Sequence, residues 1–172
     1  GPRGQVLALD RSPRAIRRLS EATARLGLAS VHATLYDARE AGGAWAGRFS
    51  RVLLDAPCSG LGTLRRRPEI KWRRRLEDLP RAAALQKALL DGVAEAVSPG
   101  GLLVYSTCSL EPEETDEVID AFLARHTAFA LEAPGPDLQA LADPVRRGIL
   151  RAWPHRHDTD GFFVARLRRG AS

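Results

Sequence analysis

Arg51-Val52-Leu53-Leu54-Asp55-Ala56-Pro57-Cys58-Ser59-Gly60 sets a short apolar run ahead of an acid, a proline, a cysteine and a glycine. The same plan recurs in Leu102-Leu103-Val104-Tyr105-Ser106-Thr107-Cys108-Ser109. Each apolar run reads as a buried parallel strand, and each cysteine follows its strand within a few residues. In open α/β sheets, ligands and chemistry gather beyond the carboxyl ends of the strands. Cys58 and Cys108 are the only cysteines in the chain. Two thiols delivered to one sheet edge suit a nucleophile and a helper acting on one substrate.

Outward from these runs, the pattern alternates. Gln5 to Asp10 reads as a strand ending in an acid, and Ser12-Pro13 opens a helix with Ser as N-cap and Pro in the first turn. Ile16, Leu19, Thr23 and Leu26 form its apolar stripe, and Gly27 ends it. Val31 to Leu35 is a second strand, with Asp37 after it. Leu85, Leu89, Val93 and Val97 mark a long helix that Ser98-Pro99-Gly100-Gly101 stops. Pro112 to Arg125 reads as one helix whose acids, Glu113, Glu114, Asp116 and Glu117, suit the positive end of its dipole. Phe129 to Leu131 and Gly161 to Leu167 are strands, and residues 133–160 form a loop-rich stretch. The alternation predicts a single α/β domain over residues 1–172, with a parallel sheet and helices on both faces.

Composition sets the bounds. The 172 residues suffice for one domain with a core, and 44% hydrophobic with 27% charged content is ordinary for a globular chain. No apolar stretch approaches the roughly 20 residues of a membrane span. Gly1-Pro2-Arg3-Gly4 has no signal-peptide pattern, so the expected setting is a cytoplasm with free thiols. His32, His126, His155 and His157 are scattered and no cysteine pair has ligand spacing, so no metal site is expected. Cys-x-x-Cys, the usual redox dithiol, is absent.

The net charge is +5, almost all of it arginine. It is densest at residues 65–75, where seven cations and one acid surround Trp72. A solvated basic loop is one reading. An RNA contact is the other, because aromatic and basic residues together grip single strands. Arg65, Arg66, Arg67, Lys71, Trp72 and Arg73 are the candidates, with Arg166, Arg168 and Arg169 as an extension. Asp10, Asp37 and Asp55 each end a strand. Such acids accept hydrogen bonds from a ribose diol or cap the following helix, and three in one sheet favour a nucleoside site.

The two cysteine segments resemble the signature motifs of the RsmB/Sun RNA cytosine-5 methyltransferases. Arg67-Pro68-Glu69-Ile70-Lys71-Trp72, Leu85-Gln86, Glu111-Pro112-Glu113-Glu114-Thr115, Trp153-Pro154-His155 and Asp160-Gly161-Phe162-Phe163-Val164-Ala165 resemble further family segments, so the likeness runs over nearly the whole chain. It implies a Rossmann-like class I methyltransferase sheet and S-adenosylmethionine (SAM) as cofactor, facing Asp10, Asp37, Asp55 and Pro57. It implies methyl transfer to carbon 5 of cytosine in RNA, in 16S rRNA by preference, by a protein that is monomeric at full length. Cys108 is then the nucleophile that must become a thiolate, Cys58 assists release, and Asp55 holds a protonated N3. A tRNA substrate and a non-catalytic RNA-binding remnant are the alternatives.

Relatives open this domain with a strand and a glycine-rich loop of the type Asp-x-Cys-Ala-Ala-Pro-Gly-Gly-Lys-Thr, and no such segment occurs here. The resemblance therefore implies a C-terminal part of the catalytic domain. Its sheet would lack a first, central strand between residues 5–9 and 51–54, and it would bind SAM weakly or not at all alone.

Overall fold

The computed structural model describes residues 4–171, so the reading of the N-terminus at residues 1–3 lies outside them. The strands are β1 (Val6–Asp10), β2 (Val31–Leu35), β3 (Phe49–Asp55), β4 (Val97–Thr107), β5 (Phe129–Leu131), β6 (Ile149–Ala152) and β7 (Phe162–Arg169). The helices are α1 (Pro13–Arg25), α2 (Ala41–Trp45), α3 (Ile70–Arg73), α4 (Asp78–Ala94), α5 (Asp116–Arg125) and α6 (Pro154–His157). None of these helices is long and apolar enough to cross a membrane.

The sheet is split. β1 pairs in parallel with β2, while β3, β4, β7 and β5 form a second sheet with β6 also on β7. Among the described residues β1 and β3 share no ladder, and both are edges. The break falls where the family resemblance puts a central strand. Leu53, 70% exposed in the middle of β3, shows how open that region is.

The second sheet is mixed, not parallel as the alternation predicted. β3 runs parallel to β4, whereas β7 is antiparallel to β4, β5 and β6. A parallel neighbour needs a long crossover, usually helical. β7 is reached from β6 through only the short α6, which permits an antiparallel return. β6 itself lies inside the stretch read as loop. On the second sheet α4 and α5 cover one face, while α1 packs against β1 and β2. Leu54, Leu103 and Tyr105 share one core with Leu90 and Val93 of α4 and with Val118, Ile119 and Phe122 of α5. The alternate face, which carries Leu53, is open on β3.

Local chemistry explains most boundaries. The Ser12 hydroxyl accepts from Ala15 N at 3.3 Å, with Pro13 behind it at the start of α1. Gly27 adopts φ +66° after the helix. Pro112 to Arg125 is not one helix: a 3-10 turn covers Pro112–Glu114, and Thr115 breaks the chain at φ −126°, ψ −94° before α5 begins. The break keeps Glu114 out of the solvent-facing first turn and sends it inward. Gly92 on α4 fixes how the β1–α1–β2 layer docks. A Cβ at this position would meet the Arg39 backbone at 2.4 Å, so only glycine lets the segment after Asp37 lie against the helix.

Candidate functional site

β3 and β4 are in register with Asp55 opposite Ser106, so the loops after them leave the same edge side by side. That register brings Cys58 Sγ to 3.1 Å from Cys108 Sγ, with both thiols free and half-buried. Asp55 accepts from the Ser106 hydroxyl at 3.0 Å and faces outward beside them. Gly62 locks the two loops together. Its N–H donates to Cys108 O at 2.9 Å, its carbonyl accepts from Gly161 N at 2.7 Å, and a Cβ would lie 2.2 Å from Gly161 O.

The thiol pair shares its protons unequally. The hydrogen bond from Cys108 pulls the Cys58 thiol down to about 6, against the effect of burial. The same hydrogen bond pushes Cys108 well up, and burial and the Cys58 charge add to it. Across the touching pair the proton is thus held by Cys108 in preference to Cys58. The contact sets a proton acceptor, Cys58, beside the thiol that the sequence reading named as nucleophile.

The acids at the other strand ends differ in availability. Asp10 Oδ1 accepts from Ser12 N at 2.7 Å, while Oδ2 meets no donor among the described residues and the side chain is exposed. Asp10 therefore caps the turn and still offers an acceptor. Asp37 is engaged at both oxygens by Arg39, at 3.0 Å from Nε and 2.6 Å from Nη2, with Arg11 at 3.5 Å. The Arg39 hydrogen bonds hold its carboxyl far below the usual carboxylate range. Pro57 is exposed on the same edge. Of this set Asp10 offers a free carboxylate oxygen that a ribose diol could meet, whereas both Asp37 oxygens are taken by Arg39.

The family model described as 16S rRNA methyltransferase RsmB/F matches residues 1–168. The chain belongs to this family. A probable ribosomal RNA small subunit methyltransferase B of Bacillus subtilis is 41% identical over 172 residues, covering 97% of this chain and 38% of that protein. The ribosomal RNA small subunit methyltransferase B of Yersinia pestis is 40% identical over 168 residues, covering 96% of this chain and 37% of that protein. The chain thus spans well under half the length of these relatives. Among solved structures, NSun6 from Pyrococcus horikoshii with SFG superposes with a TM-score of 0.82 at 31% identity, over 99% of this chain and 42% of that one. A methyltransferase homolog protein from the same organism gives 0.79 at 32% identity, over 98% and 54%.

In this RsmB/F chain the basic segment divides into spent and free cations. Arg65 pairs with Asp158 at 2.6 Å, Arg66 Nε donates to Asp160 at 2.6 Å, and Arg67 lies 4.0 Å from Glu69. Lys71 sits 5.6 Å over the ring of Trp72, which is 83% exposed. Arg73 is exposed with no ion pair among the described residues. Arg74 turns inward, donating to Ser59 O at 2.6 Å and to Cys58 O at 3.4 Å. The arginines of the proposed extension are engaged within the fold. Arg168 stands opposite Leu102, which lies midway along β4 and six residues before Cys108. Arg166 and Arg168 both grip Glu132, and Arg169 caps the carbonyls of Glu95 and Val97. Those arginines hold β7 in place and are remote from the thiols.

Three residues of the site, Ser59, Gln86 and Glu114, were quoted in the sequence reading only within motifs and given no role at the site. The available signal was Gln86, a polar side chain beside Leu85 on a helix whose stripe is otherwise apolar. It is fully buried. Among the described residues no group of three or more His, Cys, Asp or Glu side chains could hold a metal.

Proposed function

We propose that this chain is part of a catalytic domain that methylates carbon 5 of cytosine in RNA, with small-subunit rRNA as substrate and SAM as methyl donor. The observation that carries the reading is the 3.1 Å contact between Cys58 and Cys108 at the ends of neighbouring parallel strands, with Asp55 beside it. Carbon 5 of cytosine is a poor nucleophile. Addition of a thiolate to carbon 6 makes it an enamine carbon.

The residues act in sequence. Cys108 Sγ bonds to carbon 6 while its proton passes to the adjacent Cys58 thiolate. A proton from solvent joins N3 as the thiol adds, Asp55 accepts the N3–H hydrogen bond, and that proton returns to solvent when the double bond re-forms. SAM, when bound, supplies the electrophilic methyl that carbon 5 takes. Cys58, with its low pKa, returns its proton to water and then removes the proton from carbon 5. The carbon 5–carbon 6 double bond re-forms and Cys108 leaves as thiolate. One proton is released per turnover, and the pair resets with the charge on Cys58.

Asp10, Asp37, Asp55 and Pro57 would hold the cofactor, with Asp10 taking the ribose diol. Trp72, Lys71 and Arg73 would stack on and neutralise RNA, while Arg65, Arg66 and Arg67 first exchange acids for phosphates. The target base must leave its stack to reach both sulfurs.

The test uses a chimera in which this chain replaces the matching stretch of the Bacillus subtilis relative. With SAM and small-subunit rRNA, nucleoside mass spectrometry is expected to show 5-methylcytidine. Methylation of the exocyclic amine, or unmodified cytosine throughout, would contradict the proposal.

A further inference from the structure

Glu114 is a carboxylate with no exposed surface, 0% by area. It lies on the 3-10 turn between β4 and α5 and has no cation partner among the described residues. Its Oε1 accepts from Ser59 N at 2.7 Å and from Gln86 Nε2 at 3.2 Å, and Oε2 accepts from the Ser59 hydroxyl at 2.5 Å. Its own carbonyl accepts from the Tyr105 hydroxyl at 2.8 Å, which ties the turn to β4 just before Cys108. An unpaired buried carboxylate is an expensive way to fill space. Its worth must lie in the buried donors that it satisfies.

The partners explain it. Ser59 follows Cys58, and its hydroxyl also lies 3.5 Å from that of Ser109, which follows Cys108. Gln86 uses the same Nε2 to reach Pro57 O at 2.9 Å, just before Cys58. Arg74 takes the carbonyls of Cys58 and Ser59 from outside. The carbonyls of Pro57, Cys58 and Ser59, together with the Ser59 N–H and hydroxyl, are thus all held by side chains. From the Cys108 side of the site Glu114 takes both the Ser59 N–H and its hydroxyl, beside the longer Ser59–Ser109 contact and the Gly62–Cys108 backbone bond.

We infer that Glu114 is a positioning residue: it clamps the Cys58 loop against the Cys108 loop and so holds the two sulfurs within proton-transfer distance. This deepens the proposed function and rests on its pairing of the thiols. The carboxylate also contributes charge. Facing the same thiols are Asp55 from β3 and Tyr105 from β4, and Arg74 touches the loop carbonyls. Within that surround the Glu114 charge opposes ionisation of Cys58, against the stronger pull of Cys108.

The test reads the thiols directly in this chain. Diamide oxidises the two thiols to a disulfide and is itself reduced to the hydrazine, so the rate reports how close the sulfurs sit. Glu114→Leu keeps the volume and removes the clamp. It is expected to slow disulfide formation by about tenfold or more, since charged hydrogen bonds are lost. Glu114→Gln can keep the bond to Ser59 N and remove the charge. It should cross-link near the wild-type rate while Cys58 alkylation by iodoacetamide begins at lower pH. Ser59→Ala, the milder variant, should slow cross-linking by a smaller factor, and circular dichroism checks each fold. Wild-type rates and an unmoved pH profile in Glu114→Leu and Glu114→Gln would overturn the positioning role and leave the proposed function standing. Slow cross-linking in the wild-type chain itself would instead remove the thiol pairing on which the function rests.

Discussion

Removing Cys108 should change how Cys58 reacts in opposite directions at low and high pH. The Cys108 hydrogen bond is the largest cause of the fall of Cys58 to about 6, so Cys108→Ala should return it toward the ordinary thiol value of 9.0. At pH 7 the ionised fraction then drops from about 90% to about 1%. The more basic thiolate is the better nucleophile. With a Brønsted slope of about 0.4–0.5, three pH units make it about 20-fold more reactive. The two effects nearly cancel at pH 7, where the variant should be alkylated about fivefold more slowly. At pH 10 it should react about 20-fold faster, and the profiles should cross between about pH 7 and 8. The assay is iodoacetamide labelling of Cys58 from pH 5 to 10, read by peptide mass spectrometry. The midpoint is the decisive reading, because easier access in the alanine variant scales the rate without moving it. Profiles that share a midpoint near 9 would refute the shared-proton pair.

Further outcomes follow from the same geometry. A lowered Cys58 value stabilises the folded chain fully above 9.0, and that stability is lost as pH falls through about 6. Cys108, held up, works the other way once an unfolded thiol would ionise. The stability difference between the wild type and a Cys58→Ala/Cys108→Ala variant, from urea unfolding, should therefore rise from pH 6 to 9 and fall beyond. Gly92→Ala forces a Cβ to 2.4 Å from the Arg39 backbone and should cost about 2 kcal/mol or more in urea unfolding. Gly43→Ala, with nothing within 4 Å, should cost far less. Trp72→Ala should weaken binding of single-stranded RNA by about 1–3 kcal/mol in fluorescence anisotropy titrations. Arg73→Ala should lower the salt slope of that binding by about one.

Strand positions were legible because the runs at 31–35, 51–54 and 129–131 are short, apolar and bounded by turn residues. β7 was legible as a strand but not in direction. Direction depends on the length and path of the connection, and β6 was hidden within a stretch rich in Pro, Gly and Asp. Both cysteines and Asp55 were legible from their place after strands, and the strand register brings them together. The Glu114 clamp was not. Four acids near Pro112 read as dipole partners of one helix, and only the Thr115 break shows that one of them is buried. The basic segment was legible as charge, but its division into Arg65 and Arg66 with acid partners, Arg74 turned inward and Arg73 free depends on contacts far away in sequence.

Covalent trapping tests the central claim most directly. In the chimera with the Bacillus subtilis relative, incubated with SAM and small-subunit rRNA, Cys58→Ala should accumulate a protein–RNA adduct that survives denaturing electrophoresis. Cys108→Ala and the double variant should form none. An adduct that persists without Cys108, or equal absence of adduct in both single variants alongside unimpaired methylation, would contradict the assignment of Cys108 as nucleophile and Cys58 as its partner.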